Sequence, residues 1–460
     1  MKSLLLIPIL ATTLLSDVIT NAEGTFLQIY ANKTTQSKII ATVPSNKGKI
    51  INKRCFNTRG EIEWCKIVYK ANGVSIDGFS DKKSLDALLS VTNTKPTFEK
   101  VFGGRYKDIG NDILVVDDGI LIVGTTESLG TTEDDAYIVK VDNFGNKIFE
   151  ANYGGDTTEK AKAVIAVKDG YMIAGSTSSF GNDKESIYLA KIAKNGKLIW
   201  QHGYFSDFDD YYKGNSLTAM DDGKVLVAGY EDHLQFFNSE VNGYMTAIDS
   251  KGVMQAHKYY GGEDKERINS IITVDGGYVF AGETDTWGHG AKDAYFVKID
   301  KEGKEIFSKA FGWRYDEVAN EVIATTDGGY LLVGTSDSDH YNQKDIYVVK
   351  TNKDGNREWH YHYGSRENEE GNGVVEVNNG YVIAGSTTKT KSYNKDAYIL
   401  KIDKTGAIVW HKNYGGESDD AANAIAKVKD GFVITGYATS PQGYNKDLLL
   451  LKVDENGNVN

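Results

Sequence analysis

From Phe98 onward the chain alternates short apolar runs with glycine-bearing turns, four runs to a unit. In the last complete unit they read ANAIAKV, FVITGYA and DLLLLKVD, with AIVWHKNY ahead of the corner. These runs are rich in β-branched and aromatic residues, and none keeps a 3.6-residue apolar period between glycines. Strands are therefore predicted and helices are not. An aromatic precedes each corner, at Phe102, Tyr153, Tyr204, Tyr260, Phe311, Tyr363 and Tyr414, so the intervals are 51, 51, 56, 51, 52 and 51 residues. A repeat of that length marks one supersecondary module per unit. Seven units of four strands predict an all-β chain, a seven-bladed β-propeller.

The ends of the array test this count. The fourth-strand aromatic follows its turn glycine by four residues, as Phe149 follows Gly145 and Trp410 follows Gly406. After the last turn glycine, Gly457, the sequence given reaches only Asn460. Phe98 precedes Phe102 by the same four residues that separate Trp410 from Tyr414. TFEKVF (Thr97 to Phe102) is therefore expected to complete the last blade beside DLLLLKVD and close the ring. Gly124, Gly175, Gly229, Gly282, Gly334, Gly385 and Gly436 recur in the second strands, where the neighbouring blade is expected to leave no room for a side chain.

Composition narrows the setting. Acidic residues exceed basic ones, 64 to 52, for a net charge of −12. No lysine- or arginine-rich cluster exists, which argues against nucleic acid as a partner. Lys2, the apolar LLLIPILATTLL and the small residues ending at Ala22 read as an export signal. No later apolar run is long enough to cross a membrane as a helix. The expected organisation is a signal over 1–22, a small domain over 23–89, a linker over 90–96 and the propeller over 97–460, in a periplasmic or secreted protein. Cys55 and Cys65 are the only cysteines. In an oxidising compartment they are expected to form a disulfide across a hairpin, the alternative being two buried thiols.

Two resemblances add to this reading. LQIYANKTTQSKIIATVP, CFNTRGEIEWCKIVY and GFSDKKSL resemble the bacterial SH3-type domains of exported proteins, which implies a small SH3-like barrel before the propeller. Phe79 and Ser84 depart from the tryptophan and tyrosine usual in that family. GYVIAGST followed by DAYILKID is similar to the β-propeller repeats of exported bacterial proteins, and more loosely to kelch and quinoprotein repeats. These likenesses imply a fold rather than an activity.

Candidate chemistry is sparse. Six residues after each corner aromatic stands an acid: Asp108, Glu159, Asp210, Glu266, Glu317, Glu369 and Asp420. Such a ring could hold a cation or a basic peptide, but a feature of every blade is expected to serve the blade by accepting backbone hydrogen bonds. Asparagine follows at Asn111, Asn269, Asn320, Asn372 and Asn423, with Asn215 after an insertion. His360 and His362 have ligand spacing on a strand without a third partner nearby in sequence, so no metal is expected there. No nucleophile elbow, zinc motif or phosphate loop is present, and no vicinal cysteine pair for a quinone cofactor. No catalytic residue and no cofactor is assigned.

The third unit breaks the pattern with YFSDFDDYYKG at its corner and YEDHLQFFNSEVNGY in its second loop. Phe205, Phe208, Tyr211, Tyr212, Phe236 and Phe237, near Trp287 and His289 of the next unit, form the candidate ligand-binding surface. The reading is a non-enzymatic binding or scaffold protein recognising a protein, glycan or cell-wall component through propeller loops. The alternative is an enzyme, hydrolase or quinoprotein-like, with its site at the channel mouth.

Overall fold

The computed structural model describes residues 97–459 apart from 131–132, 182–183, 205–209, 235–238, 338–342, 390–393 and 441–444. Before residue 97 it describes the backbone of six strands, and side chains are described only from 97 on, those of residues 234 and 239 excepted. The chain divides into two compact units, Met1–Pro96 and Thr97–Asn460. In the first, a six-stranded sheet runs in the order Ser16–Ile19, Gly48–Asn57, Glu63–Ala71, Val74–Asp81, Phe26–Tyr30, Ile39–Pro44. Its register sets Cys55 opposite Cys65. The sulfur pairing expected there lies outside the described residues.

The second unit is a seven-bladed propeller of four-stranded antiparallel sheets. Six blades are continuous, at 108–153, 159–204, 211–260, 266–311, 317–363 and 369–414; the seventh joins 420–453 to Phe98–Phe102. Closure is as the strand arithmetic requires, with Leu448 opposite Phe102, Leu450 opposite Lys100 and Lys452 opposite Phe98. The first strand of each blade lies innermost and packs on the first strands of its neighbours, Asp420–Val428 on Asp108–Val116 included. Second and third strands are buried on both faces, which is why they read as unbroken apolar runs. The core lies between blades: Ile122, Tyr137 and Val139 of the first meet Val433, Leu448 and Leu450 of the seventh. No helix among the described residues is long and apolar enough to cross a membrane.

Each word of the repeated phrase has a place. In Asp396–Ile402 and its equivalents, the alternate apolar positions fill the two inter-blade cores. In four blades the lysine is buried and reaches back to an aspartate in the turn between first and second strands, as Lys140 does to Asp118 at 2.8 Å and Lys350 to Asp327 at 3.0 Å. Lys298 is half-buried and donates to Tyr330, and the turn facing Lys401 carries Asn378 and Asn379 instead. Opposite that lysine sits the fourth-strand aromatic: Lys140 with Phe149, Lys191 with Trp200, Lys298 with Phe307, Lys350 with Trp359, Lys401 with Trp410, Lys452 with Phe98. The aspartate that follows folds the next turn, Asp403 accepting from the amides of Thr405 and Ala407 at 2.8 and 3.0 Å. The turn glycine takes φ of 88° at Gly406, and a Cβ at Gly196 would strike the Phe149 ring of the preceding blade. Corner tyrosines tie blade to blade, Tyr363 and Tyr414 donating to the carbonyls of Gly406 and Gly457.

Phe98 is buried against Ile113, Tyr137 and Leu450. Phe98→Ala should therefore lower unfolding stability by about 3–5 kcal/mol in denaturant titration. A loss below about 1 kcal/mol would contradict the packing of the closing strand.

Candidate functional site

Every first strand carries one β-bulge, and the unpaired residue is Asn111, Lys162, Asn215, Asn269, Asn320, Asn372 or Asn423. Each asparagine donates its amide to a main-chain carbonyl of the next blade at 2.7–3.0 Å, and Asn423 closes the circle on Gly110. The bulge also explains the second-strand glycines. A Cβ at Gly124 would collide with the carbonyl of Ile109 in its own blade, and the other six meet the same obstacle. The obstruction is intra-blade, a correction to the expected crowding by a neighbour.

The residue after the bulge supplies a second bond across the seam. Asp112 accepts the Val164 amide at 2.8 Å, Ser216 that of Ile271 at 3.2 Å, Ser270 that of Val322 at 3.3 Å, and Glu321 that of Val374. Between blades two and three, Lys162 and Ala163 stand in these places. That seam alone lacks both side-chain bridges among the described residues. Burial pushes Glu321 up to about 8, with Asp112 across the axis adding to the shift and the Val374 amide opposing it. Asp112 is pushed up to about 6 by burial, against two amide hydrogen bonds. Lys162 is pushed down by desolvation and by Lys160 and Lys213. The channel thus carries three ionisable groups whose charged forms are disfavoured.

The acidic ring sits beneath the corners. Asp108, Glu159, Glu266, Glu317, Glu369 and Asp420 are buried, and each accepts a corner amide at 2.7–3.0 Å. Four of them also take a second-strand hydroxyl, as Glu266 does from Thr284 at 2.7 Å, and Asp108 takes one from Ser128 just beyond that strand. The seventh member is a correction. Register places Tyr212, not Asp210, in that position: Tyr212 pairs with Glu231 where Glu159 pairs with Thr177. Its amide donates to Glu185 as the Glu159 amide donates to Asp134. The insertion before Tyr211 displaced the acid by two residues. Blade three therefore reverses the bond, a first-strand phenol donating to a second-strand carboxylate, Tyr212 to Glu231.

Asp210 forms a different group. His233 Nδ1 lies 2.8 Å from Asp210 Oδ1, and Nε2 lies 2.9 Å from Glu231 Oε2. Asp210 is 8% and Glu231 1% exposed. Burial opposes protonation of His233, but the two carboxylates outweigh it and raise its pKa. This is the one group among the described residues with imidazole and carboxylates close enough to share a cation. As drawn, each ring nitrogen faces a carboxylate, so a cation would have to displace one of those contacts.

Corners and second loops share a face, as the pairing of Asp108 with Thr126 requires. Of the expected binding residues, Phe205, Phe208, Phe236 and Phe237 lie outside the described residues. Tyr211 is half-buried under the Lys184 ammonium, and Tyr212 is buried in the core. Trp287 is 39% exposed and stacks on Tyr295 at 5.4 Å. His289 donates its amide to Asp293. Sequence reasoning passed over Trp313 and Tyr315, 70% and 48% exposed. Their signal was the corner FGWRYDE, where Trp313 replaces a glycine. A Cβ at Gly290 would meet the backbone of Arg314 and Tyr315, so the Trp287 loop abuts this corner. His360 and His362 flank the Tyr347 ring on an outer strand.

Neither protein-family models nor curated proteins match the chain. Among solved structures it is similar to a putative 6-phosphogluconolactonase from Bacteroides fragilis, at 12% identity over 75% of this chain and 94% of that one, TM-score 0.46. It is also similar to Sqt1 from Chaetomium thermophilum, at 11% over 72% and 80%, TM-score 0.42. An endo-arabinanase from Bacillus licheniformis matches at 12% over 68% and 100%, TM-score 0.29. Likenesses this distant carry no argument about activity.

A carboxyl whose folded pKa is raised resists ionisation in the fold, so Glu321 weakens stability as pH climbs from about 4.5 through about 8. Glu321→Gln keeps an acceptor for the Val374 amide and removes that loss. Denaturant titrations across this range should show a shallower pH slope for the variant, by at most about 1.4 kcal/mol per pH unit. Superimposable slopes would refute the assignment.

Proposed function

We propose that this is an exported, non-enzymatic binding protein that recognises carbohydrate through the loop face of blades four and five. The observation that carries this reading is the exposed aromatic rim of Trp287, Trp313 and Tyr315. Indole planes offered to solvent stack on the C–H faces of sugar rings, and His289 and Arg314 beside them supply polar partners for hydroxyls. An exposed indole gains nothing for the fold, whereas desolvating it against a ligand is favourable. An SH3-like N-terminal domain and a periplasmic or extracellular location belong to the proposal.

A second reading has its own support. Asp112 and Glu321 line the channel with ionisation disfavoured at each, a pattern typical of catalytic groups. Under that reading the enzyme's site lies inside the ring.

On a glycan array, Trp313→Ala should weaken capture by about tenfold or more while leaving the melting temperature unchanged, and Trp287→Ala, which also gives up its stacking on Tyr295, should weaken capture as much and lower the melting temperature. Unaltered capture by the folded double variant would remove the carbohydrate reading. A turnover abolished by Glu321→Gln and indifferent to both tryptophans would support the enzyme instead.

A further inference from the structure

Blade three departs from the repeat at one more point, away from the loop face. Where six blades pair a buried lysine with an aromatic across the third and fourth strands, this blade sets Ala247 opposite Ala256. Both large side chains are missing at a single register position. In four blades the aromatic abuts the turn glycine of the next blade, Phe98 at Gly145, Phe149 at Gly196, Phe307 at Gly355 and Trp410 at Gly457, while Gly252 and Gly406 meet His202 with Tyr204 and Tyr361 with Tyr363. At the corresponding glycine, Gly303, only the Tyr260 hydroxyl and the Lys258 side chain approach. Nothing from the surrounding core moves in to compensate. A pocket of about 180 Å³ remains, open to solvent at the outer strand, with Met220, Leu226, Met245, Tyr260 and Tyr278 in its walls and His257, Lys301 and Glu302 also lining it.

The chemistry of the walls selects the occupant. Alongside the apolar walls, His257, Glu302 and the Tyr278 hydroxyl offer polar contacts to a guest. Two methionines adapt to the outline of a guest, and their sulfurs favour aromatic rings. The cations at the rim are already engaged: Lys258 donates to the Gly303 carbonyl, and Lys301 pairs with Asp221. A volume of about 150 Å³ is large enough to take up benzene.

We infer that this cavity is a binding site for a monocyclic aromatic molecule, which occupies the volume that an aromatic side chain fills in every other blade. The site is independent of the carbohydrate surface and of the channel. It requires no catalytic group and no metal.

The test uses the full chain and p-cresol, with toluene as the wholly apolar probe. Calorimetry or ligand-observed NMR should show saturable one-to-one binding by the native protein. Ala256→Phe restores the side chain of the repeat; it should raise the melting temperature and weaken binding at least tenfold. Ala247→Leu, entering from the facing strand, should weaken binding as well. Absence of saturable binding by the native protein would overturn the inference, and so would unchanged affinity in either folded variant.

Discussion

A ring of sheets survives only if its two ends meet. Here the meeting is a ladder of main-chain hydrogen bonds between Phe98–Phe102 and Lys446–Val453. Without it the third strand of the last blade would present an open edge, and the core shared by Ile122, Tyr137, Val433 and Leu450 would lose its outer wall. Two further contacts cross the same junction: Asn423 donates to the Gly110 carbonyl and Asn445 to that of Arg105. Residues distant in sequence thus carry what neighbours carry elsewhere. Circular closure converts a linear repeat, in which each unit leans on two others, into one cooperative body.

Repetition follows from that geometry. Seven equivalent seams need the same bulge, the same glycine beneath it, the same amide-to-carbonyl bond and the same carboxylate under the corner. A residue conserved from blade to blade within the chain is therefore the expected mark of framework. Information about function lies in the exceptions, and these gather around blade three. Lys162 and Ala163 leave the seam before it without the two bridges made at the bulge, and Tyr212 with Glu231 reverses its corner bond. Asp210 and His233 add a charged group found in no other blade among the described residues. Ala247 and Ala256 empty its outer core. Local departures from a strong repeat that leave the fold intact are where binding sites are expected.

The architecture was legible because strand spacing obeys hard geometric periods. The corner aromatic, the four-residue step from turn glycine to fourth-strand aromatic and the split last blade all follow from sheet pairing. Two details were not legible. A bulge inserts one residue without altering the apolar pattern, so the clash at Gly124 was assigned to the wrong neighbour. At Asp210, counting from the corner failed because the insertion lies between the corner and the strand, and only cross-strand register identifies Tyr212. The exposed pair Trp313 and Tyr315 was visible as a departure from glycine-rich corners, yet the longer anomaly in blade three drew attention away. Channel acidity at Asp112 and Glu321 depends on proximity across the axis, which no linear pattern encodes.

Hydrogen–deuterium exchange tests ring closure most directly. Amides of Lys100 and Phe102, together with those of Leu448 and Leu450, should be protected as strongly as their equivalents in the fourth and third strands of the other blades, and should open only with global unfolding. Exchange of residues 98–102 at the rate of an unstructured segment, with the remaining blades still protected, would contradict the closed ring.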